Sequence, residues 1–500
     1  MRKQRTTPYT QFGSVLCFCF EQRDMQAWHN SSGCTEVNIM AMTNRSNRKN
    51  DYFIFSTIEE LVPQDHEVRR LERAVNWRFI YPEVKHLYSE FGRPSIDPVI
   101  LFKMIMINYT FGINSMRRTC REIEVNLAYR WFLGIGMYEP VPNYSTWAQN
   151  YIRRYKDSEI FDAIFTKILD QAIRHGFINT ETIFGDSTHV KASANKRKST
   201  PAEVELTKKK FEDDLLDEIN EVRRQNGQEE FDSLRRTEYD YDEETGEVTE
   251  RIETKTVKQS LTDPESGNFH KGQHEECFAY CLQTICEKNG FVLATYTVPG
   301  NVHDSISFYG AYEQVCGQFG SSIKNVCLDS GYKTPAIARE IIENGQVPYL
   351  PYKRPMTKDG FFKKYEYIYN KDKNEYRCPQ GEVLKYTTTN RKGYMEYKSD
   401  PGKCKNCPML GRCTNSQGHQ KTVTRHVWAD YLDRCEEIRH TPEWKKIYPQ
   451  RKETIERVFA MSKENHGLRY TRLRGLTKNQ HQALIIFSCH NLKKLAKWLG

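Results

Sequence analysis

The chain has 500 residues and a mass of 58.9 kDa, which exceeds one ordinary domain and predicts two to four folded units. Hydrophobic residues make up 38% and aromatic residues 12%, and the mean hydropathy is −0.75, values that exclude wholesale disorder and a membrane-embedded protein. Of the net charge of +9, residues 451–500 hold +8 (11 Lys and Arg minus 3 Asp and Glu), so we expect a polyanion to bind there.

The first 50 residues fit no helix or strand, and we expect them to be unstructured or not translated, with Met40 or Met42 as an alternative start. Their apolar stretch ends at Glu21, too early for a signal peptide. Lys103 interrupts the apolar run nearest in length to a membrane span. The 15 cysteines are mostly single and lie in apolar runs, which indicates reduced thiols and a cytoplasmic protein.

Residues 51–155 have a helical pattern and are predicted to form an all-helical domain that binds DNA or supports assembly. Asp97 and Pro98 are typical of a helix start, and a second helix is expected from Ser115, after the breaker around Gly112. The arginines of that second helix either contact DNA or form the solvated face of a helical bundle, and both readings are open.

Residues 156–350 alternate strands and helices and are predicted to form the first part of an α/β core. A helix over 158–175 leads into a strand that ends at Asp186, and 197–262 is a charged helix-and-loop insertion. The remaining predicted elements are hairpin strands 277–286 and 291–298, a helix from 304 to 316, a strand over 324–329, a helix from 334 and a strand over 347–350. In this order a mixed five-stranded sheet places the ends of the first and fourth strands side by side.

Three carboxylates lie in segments that are predicted to be ordered strands or helices, which would fix their positions: Asp186, Asp329 and Glu456. The two aspartates follow buried strand sequence, and Glu456 lies at the edge of an apolar helix face. Each acid alone could be a turn or cap residue. Asp304 competes with the aspartates but is better explained as a helix N-cap. Glu453, expected one turn back in the same helix and adjacent to Glu456, competes with Glu456.

Carboxylate oxygens suit Mg²⁺ or Mn²⁺. Two such ions would activate a water or a 3′-hydroxyl and stabilise the leaving oxygen in a phosphodiester reaction.

The segment 351–450 is predicted to be an insertion too polar to build its own core. Four of its cysteines have the spacing C-x25-C-x2-C-x5-C: Cys378, Cys404, Cys407 and Cys413. Four thiolates form a closed, structural zinc site, which would staple the insertion. Reduced surface thiols in a loop are the alternative.

From about Ile58 to the carboxyl terminus the chain resembles the insertion-sequence transposases of the DDE superfamily. The resemblance lies in these pieces: Gly92-Arg93-Pro94-Ser95-Ile96-Asp97-Pro98, Tyr129-Arg130-Trp131-Phe132-Leu133-Gly134, Pro142-Asn143-Tyr144-Ser145-Thr146, Gly300-Asn301-Val302-His303-Asp304-Ser305, Ile455-Glu456-Arg457-Val458-Phe459 and Asn491-Leu492-Lys493-Lys494-Leu495. It implies a ribonuclease H-like core interrupted by the insertion, and a basic carboxyl-terminal segment, 451–500, that carries the catalytic helix.

The resemblance implies that Asp186, Asp329 and Glu456 are the acidic triad and that Lys463, seven positions after the glutamate, contacts DNA phosphate. Arg469, Arg472 and Arg474 are predicted to bind the DNA backbone. Related groups carry Tyr and Arg seven and four residues before the glutamate, where this chain has Pro449 and Lys452, with Tyr448 and Arg451 displaced by one.

The resemblance implies cleavage at the ends of a mobile element and strand transfer into target DNA, and we expect a cytoplasmic, nucleoid-associated homodimer on double-stranded DNA. A metal-dependent nuclease without strand transfer and an inactive DNA-binding remnant are the alternatives.

Overall fold

The computed structural model describes residues 55–92, 94–113, 115–205, 210–235, 238–241, 248–251, 254–271, 275–354 and 357–500, so the expectation for residues 1–50 lies outside it. Within those ranges no helix is long and apolar enough to cross a membrane.

The amino-terminal part is helical, as predicted. Asp97 caps a helix by accepting from the Val99 amide at 2.7 Å, with Pro98 in the first turn, and Ser115 caps the next by accepting from the Arg118 amide at 3.2 Å. Both predicted helix starts are confirmed. The helices are α1 (Ile58–Leu61), α2 (Glu67–Ala74), α3 (Ile80–Val84), α4 (Pro98–Thr110), α5 (Met116–Val125), α6 (Leu127–Leu133), α7 (Tyr144–Asn150) and α8 (Ile160–Arg174).

The middle of the chain alternates strands and helices. The strands are β1 (Thr182–Lys191), β2 (Ser199–Glu205), β3 (Glu238–Tyr241), β4 (Val248–Arg251), β5 (Thr254–Ser260), β6 (Gly267–Lys271), β7 (Glu275–Glu287), β8 (Val292–Pro299), β9 (Asn325–Cys327) and β10 (Val347–Tyr349). The helices are α9 (Glu212–Gln225), α10 (Asp304–Phe319) and α11 (Pro335–Glu343). The predicted hairpin is present, because β7 and β8 pair antiparallel across the turn at Gly290.

The main sheet is mixed, with the order β10-β9-β1-β7-β6 and with β8 also paired to β7. Strands β10, β9 and β1 are parallel, and β1 runs antiparallel to β7. The adjacency of the first and fourth predicted strands, β1 and β9, is confirmed. The prediction of five strands is wrong, since β6 adds a sixth. Its sequence, Gly-Asn-Phe-His-Lys, has one apolar residue and therefore none of the alternation that signals a strand.

The charged insertion contains more strand than predicted. Strand β2 pairs with β5 and β3 with β4, and their mostly polar residues gave no periodic signal. On helix α9, Leu215 and Ile219 pack against Trp428 and Ala336, so the insertion is anchored to the rest of the protein by an apolar contact.

The cysteine segment forms a second, antiparallel sheet of five strands in sequence order. The strands are β11 (Ile368–Asn370), β12 (Glu375–Arg377), β13 (Val383–Thr389), β14 (Tyr394–Lys398) and β15 (Thr422–His426), with helices α12 (Pro401–Cys404), α13 (Leu410–Cys413), α14 (Ala429–Arg439) and α15 (Pro442–Ile447). The expectation that this segment lacks its own core is wrong. Its tyrosines supply the missing apolar area, and the buried cluster consists of Phe362, Tyr367, Tyr376, Leu384, Met395, Tyr397 and Val423.

Two final helices return to the main sheet, α16 (Ile455–Asn465) and α17 (Leu476–Trp498). In α17 the Asn491 side chain accepts from the Val292 amide at 2.9 Å and donates to the Val292 carbonyl at 2.8 Å. These contacts fix the buried helix to the start of β8. The main core is continuous from the amino-terminal helices through the sheet to α17.

Candidate active site

Asp186 lies in the middle of β1, not at its end as predicted. The strand continues to Lys191 because its antiparallel pairing with β7 extends that far, whereas its parallel pairing with β9 stops at the pair Phe184–Cys327. Between that pair and Lys191, where Tyr470 forms a bridge, no strand pairs with the β9-side edge of β1 among the described residues. Asp186 stands where the two strands part, and its side chain is 21% exposed.

Asp329 reaches the same level of the sheet from β9. It lies two residues beyond Cys327, just as Asp186 lies two residues beyond Phe184, and neighbouring parallel strands advance at equal rates. Its carboxylate accepts from the Ser330 amide at 2.6 Å and caps a short 3-10 turn. The two aspartates predicted to approach each other are therefore in matching register.

Glu456 lies in the first turn of α16, whose buried residues Ile455, Val458, Phe459 and Ser462 form the predicted apolar face. Its rival Glu453 lies outside the helix and is exposed. The expectation that Glu453 sits one turn back in the same helix is wrong.

Arg451 bridges Asp186 and Glu456. Its side chain is 9% exposed, and its guanidinium donates from Nη2 to Asp186 Oδ2 and from Nη1 to Glu456 Oε1, the latter at 3.2 Å. The bridge connects Asp186 to Glu456 and not to Glu453.

Arg451 reaches the acids although it stands one position away from the arginine of related groups. Residues Tyr448–Lys452 form a 3-10 helix, which has fewer residues per turn than an α-helix. The backbone then breaks at Thr454, with φ −108° and ψ −93°, before α16 begins. A sequence that places Pro449 before a predicted helix gives a hint of this irregular turn but not of its consequence.

Asp304 was predicted to be a helix N-cap, and that prediction is wrong. His303 is the cap of α10, and its ring nitrogen accepts from the Ser305 amide at 3.2 Å. Asp304 instead accepts from the Ser187 hydroxyl at 2.7 Å, next to Asp186. It is therefore a fourth acid close to the site, brought there by an antiparallel hairpin and a helix start that sequence spacing does not reveal.

The electrostatics around Asp186 favour a bound cation. Burial raises the pKa of Asp186 to about 6, the Arg451 guanidinium and the Ser187 amide oppose that rise, and the charges of Asp329 and Asp304 add to it. The charges of Asp329 and Asp304 thus act on Asp186, whose ion-pair partner is Arg451. The oxygens of these acids are donors that suit a hard divalent cation.

Among the described residues, no group of three or more His, Cys, Asp or Glu side chains has an arrangement that could hold a metal ion. Near Asp186 and Glu456, positive charge comes from Arg451, which contacts both. The donor chemistry therefore fits Mg²⁺ or Mn²⁺, while the side-chain arrangement is that of an arginine-bridged pair.

The predicted DNA-contacting residues surround the same edge of the sheet. Lys463 is half-buried on α16, two turns after Glu456. The loop that follows carries Arg469, Arg472 and Arg474, all exposed, and it runs beside the end of β1, with the Thr471 amide donating to the Lys191 carbonyl at 3.0 Å. The loop of the three arginines is therefore attached to the same strand that carries Asp186.

The four predicted zinc ligands meet elsewhere. Cys378, Cys404, Cys407 and Cys413 are half-buried and line one cavity of about 30 Å³. Two thiols have hydroxyl neighbours, with Cys404 Sγ 3.2 Å from Ser399 Oγ and Cys413 Sγ 3.2 Å from the Tyr367 hydroxyl. The structure gathers the thiols that the spacing singled out, but not as a metal-ligand group.

The fold and the acidic site define an α/β protein that presents carboxylates and cations at one edge of a mixed sheet. Two family models match the chain: "Transposase domain (DUF772)" over residues 56–153 and "Transposase DDE domain" over residues 377–496. Together they support an insertion-sequence transposase of the DDE type. A search of curated proteins gave no match. The second match includes Glu456 and the four cysteines of the cluster, but it begins after both aspartates.

Proposed function

We propose that this protein is a DNA transposase that cuts phosphodiester bonds at the ends of its element and joins the freed 3′-hydroxyls to target DNA. The main sheet is proposed to be a ribonuclease H-like core. The observation that carries the proposal is the convergence of three distant acids: Asp186 and Asp329 in matching register, and Glu456 tied to Asp186 through Arg451.

Asp186, Asp329 and Glu456 would hold two Mg²⁺ or Mn²⁺ ions, which when bound supply an activated hydroxyl nucleophile and charge stabilisation of the leaving oxygen. Arg451 keeps Asp186 and Glu456 oriented toward each other and offsets their charge in the buried site. Lys463, Arg469, Arg472 and Arg474 would position the DNA by contacts to phosphates, which carry no sequence information.

The test is incubation of the full chain with Mg²⁺ and labelled duplexes that carry the ends of the element, taken from the inverted repeats flanking the gene. We expect cleaved strands and then products in which a 3′ end is joined to target DNA. A reaction without divalent cation and a reaction with an end of scrambled sequence are the controls.

The outcomes separate the proposal from its alternatives. Cleaved strands with no joined products under any target condition would indicate a nuclease, and binding with neither product would indicate an inactive remnant. The mass of the complex on an end duplex, measured by light scattering, tests whether two copies assemble on DNA.

The cysteine cluster is proposed to hold one structural Zn²⁺. Its support is the chemistry and placement of the donors, since four thiols line one small cavity in a segment that two turns, at Cys378–Gly381 and Cys404–Cys407, bring together. Zinc would add to the tyrosine-rich core of this sheet. Elemental analysis of the purified chain tests the proposal, with one equivalent of zinc expected.

A further inference from the structure

Two basic loops are fastened to each other at the far end of β1. The first follows β1 and contains Arg197 and Lys198, and the second follows α16 and contains Arg472 and Arg474. Arg474 Nε donates to the Ser193 carbonyl at 3.1 Å, and residues 469–471 exchange backbone hydrogen bonds with Lys191. We call the four cations of these loops the basic rim.

The first loop is rigid for reasons that do not involve its cations. Asn195 accepts from the Arg197 amide at 2.9 Å, and its own amide donates to the Thr262 hydroxyl at 2.9 Å. The Leu261 amide donates to the Lys198 carbonyl at 3.0 Å, where the β2–β5 pair begins. The charged side chains therefore project from a fixed turn.

The basic rim differs from the cations around it in its lack of carboxylate partners. Lys191 pairs with Glu275 at 2.9 Å, Lys258 with Glu276 at 2.7 Å, and Arg469 with Glu464. Over the described ranges, no ion pair involves Arg197, Lys198, Arg472 or Arg474, and all four are exposed. The Glu265 carboxylate accepts from the Leu476 amide beside Arg474 but forms no ion pair with the rim in the described part of the chain. Like charges without ion-pair partners repel one another, so such a cluster favours a polyanionic ligand.

We infer that the basic rim binds the phosphate backbone of double-stranded DNA, so that the charged insertion begins with a DNA contact. This inference rests on the proposed function, because it takes DNA as the ligand. It adds Arg197 and Lys198 to the DNA-binding residues and makes the two loops one surface.

For a duplex that runs along β1, the strand sets where along the DNA this contact falls. From Asp186 to Lys191 the strand rises about 16 Å, at about 3.3 Å per residue. Successive base pairs are about 3.4 Å apart, so the basic rim would meet phosphates about five or more base pairs from the bond at the carboxylates.

The experiment measures the salt dependence of binding to a labelled duplex of unrelated sequence, about three helical turns long, by fluorescence anisotropy. Affinity falls as salt rises, and each lost phosphate contact reduces the steepness of the plot of log affinity against log salt by about 0.9. For Arg197→Gln/Lys198→Gln we expect a slope lower by about 2 and an affinity lower by about 30-fold at physiological salt. Arg472→Gln/Arg474→Gln should lower the slope similarly.

The matched control is Arg224→Gln/Lys371→Gln, which also removes two exposed charges. These two residues already pair with Glu230 at 2.9 Å and with Asp430 at 2.7 Å, so the slope should not change. Thermal unfolding of every variant verifies the fold.

An unchanged slope in Arg197→Gln/Lys198→Gln, or an equal decrease in the control, would overturn the inference. The proposed function fails independently of this result. If the rim variant loses slope while the unmodified chain never joins DNA ends, the surface stands and the transposase proposal falls. If joining occurs and the slope is unchanged, only the surface falls.

Discussion

The carboxylate site and the cysteine cluster are organised in opposite ways. The three acids lie more than a hundred residues apart in sequence and come to the same part of the sheet only because β1, β9 and α16 pack together, and a buried arginine bridges two of them, Asp186 and Glu456. The four cysteines lie within 36 residues and meet through local turns over a small core of their own. The first site therefore depends on global folding and on charge balance. The second depends on a local framework that a metal could reinforce.

The largest effect is expected when an acid of the first site is neutralised. Asp329→Asn should reduce cleavage and joining on the order of a thousandfold or more, since it removes several kcal/mol of charge stabilisation in the transition state. Stability should change little, because Asp329 is not in the ion pair with Arg451. Gel assays of cleavage and joining, together with thermal unfolding, measure both effects.

Glu453→Gln is the matched control, because Glu453 is exposed and stands three positions before Glu456. Its activity should equal that of the unmodified chain. Loss of activity in Glu453→Gln but not in Glu456→Gln would reverse the choice between the two glutamates.

Removing the tie should destabilise the first site even without DNA. Arg451→Gln leaves the buried Asp186 carboxylate without its ion pair, at a cost of about 3 kcal/mol in the free energy of unfolding. Urea denaturation in the presence of a chelator measures this cost, and added Mg²⁺ should stabilise the variant more than the unmodified chain. Arg457→Gln, an exposed change on α16, is the control. Equal stability of Arg451→Gln and the control would show that the arginine bridge contributes nothing.

The cysteine cluster should respond locally. Cys407→Ser is expected to lose the zinc equivalent and to expose residues 357–427 to proteolysis, while the main sheet keeps its thermal transition. Cys435→Ser is the comparison, because this buried cysteine of α14 lies outside the cavity. Zinc retained in Cys407→Ser, or lost equally in Cys435→Ser, would contradict the four-cysteine site.

The two regions also differ in how far sequence could predict them. Buried strand sequence before an acid and the cysteine spacing are local signals, and they drew attention to the two aspartates and to the four thiols. Arg451 and Asp304 were missed as members of the site because their placement depends on the 3-10 turn before α16 and on the register of α10 against β1. Strand β6 was missed because its sequence lacks apolar alternation. The tyrosine-rich core was missed because the tyrosines were counted as polar residues in a segment that is rich in lysine.

The smallest expected effect is a pH dependence of stability that both regions share. Burial lowers the pKa of His490, in the main core, and of His426, in the second sheet, to about 4 from 6.5. In the unfolded chain both take up a proton below about pH 6.5, whereas in the folded chain they resist it until about pH 4. Acidification therefore favours unfolding across that window, by about 2 kcal/mol per histidine between pH 6.5 and pH 5.

Replacement of each histidine separates the two regions. His490 Nε2 lies 3.0 Å from the Gly290 carbonyl, a contact that glutamine can replace, and His426 Nδ1 accepts from the Trp428 amide at 3.1 Å. In the unmodified chain, acidification should reduce the protection of backbone amides from hydrogen exchange. His490→Gln should make this reduction smaller in β7 and β8, and His426→Gln should make it smaller in β13 and β14. If either substitution reduced the pH dependence of amide protection equally in both sheets, the two sheets would unfold as one unit. The contrast between a globally held acidic site and a locally held cysteine framework would then fail as a description of their stability.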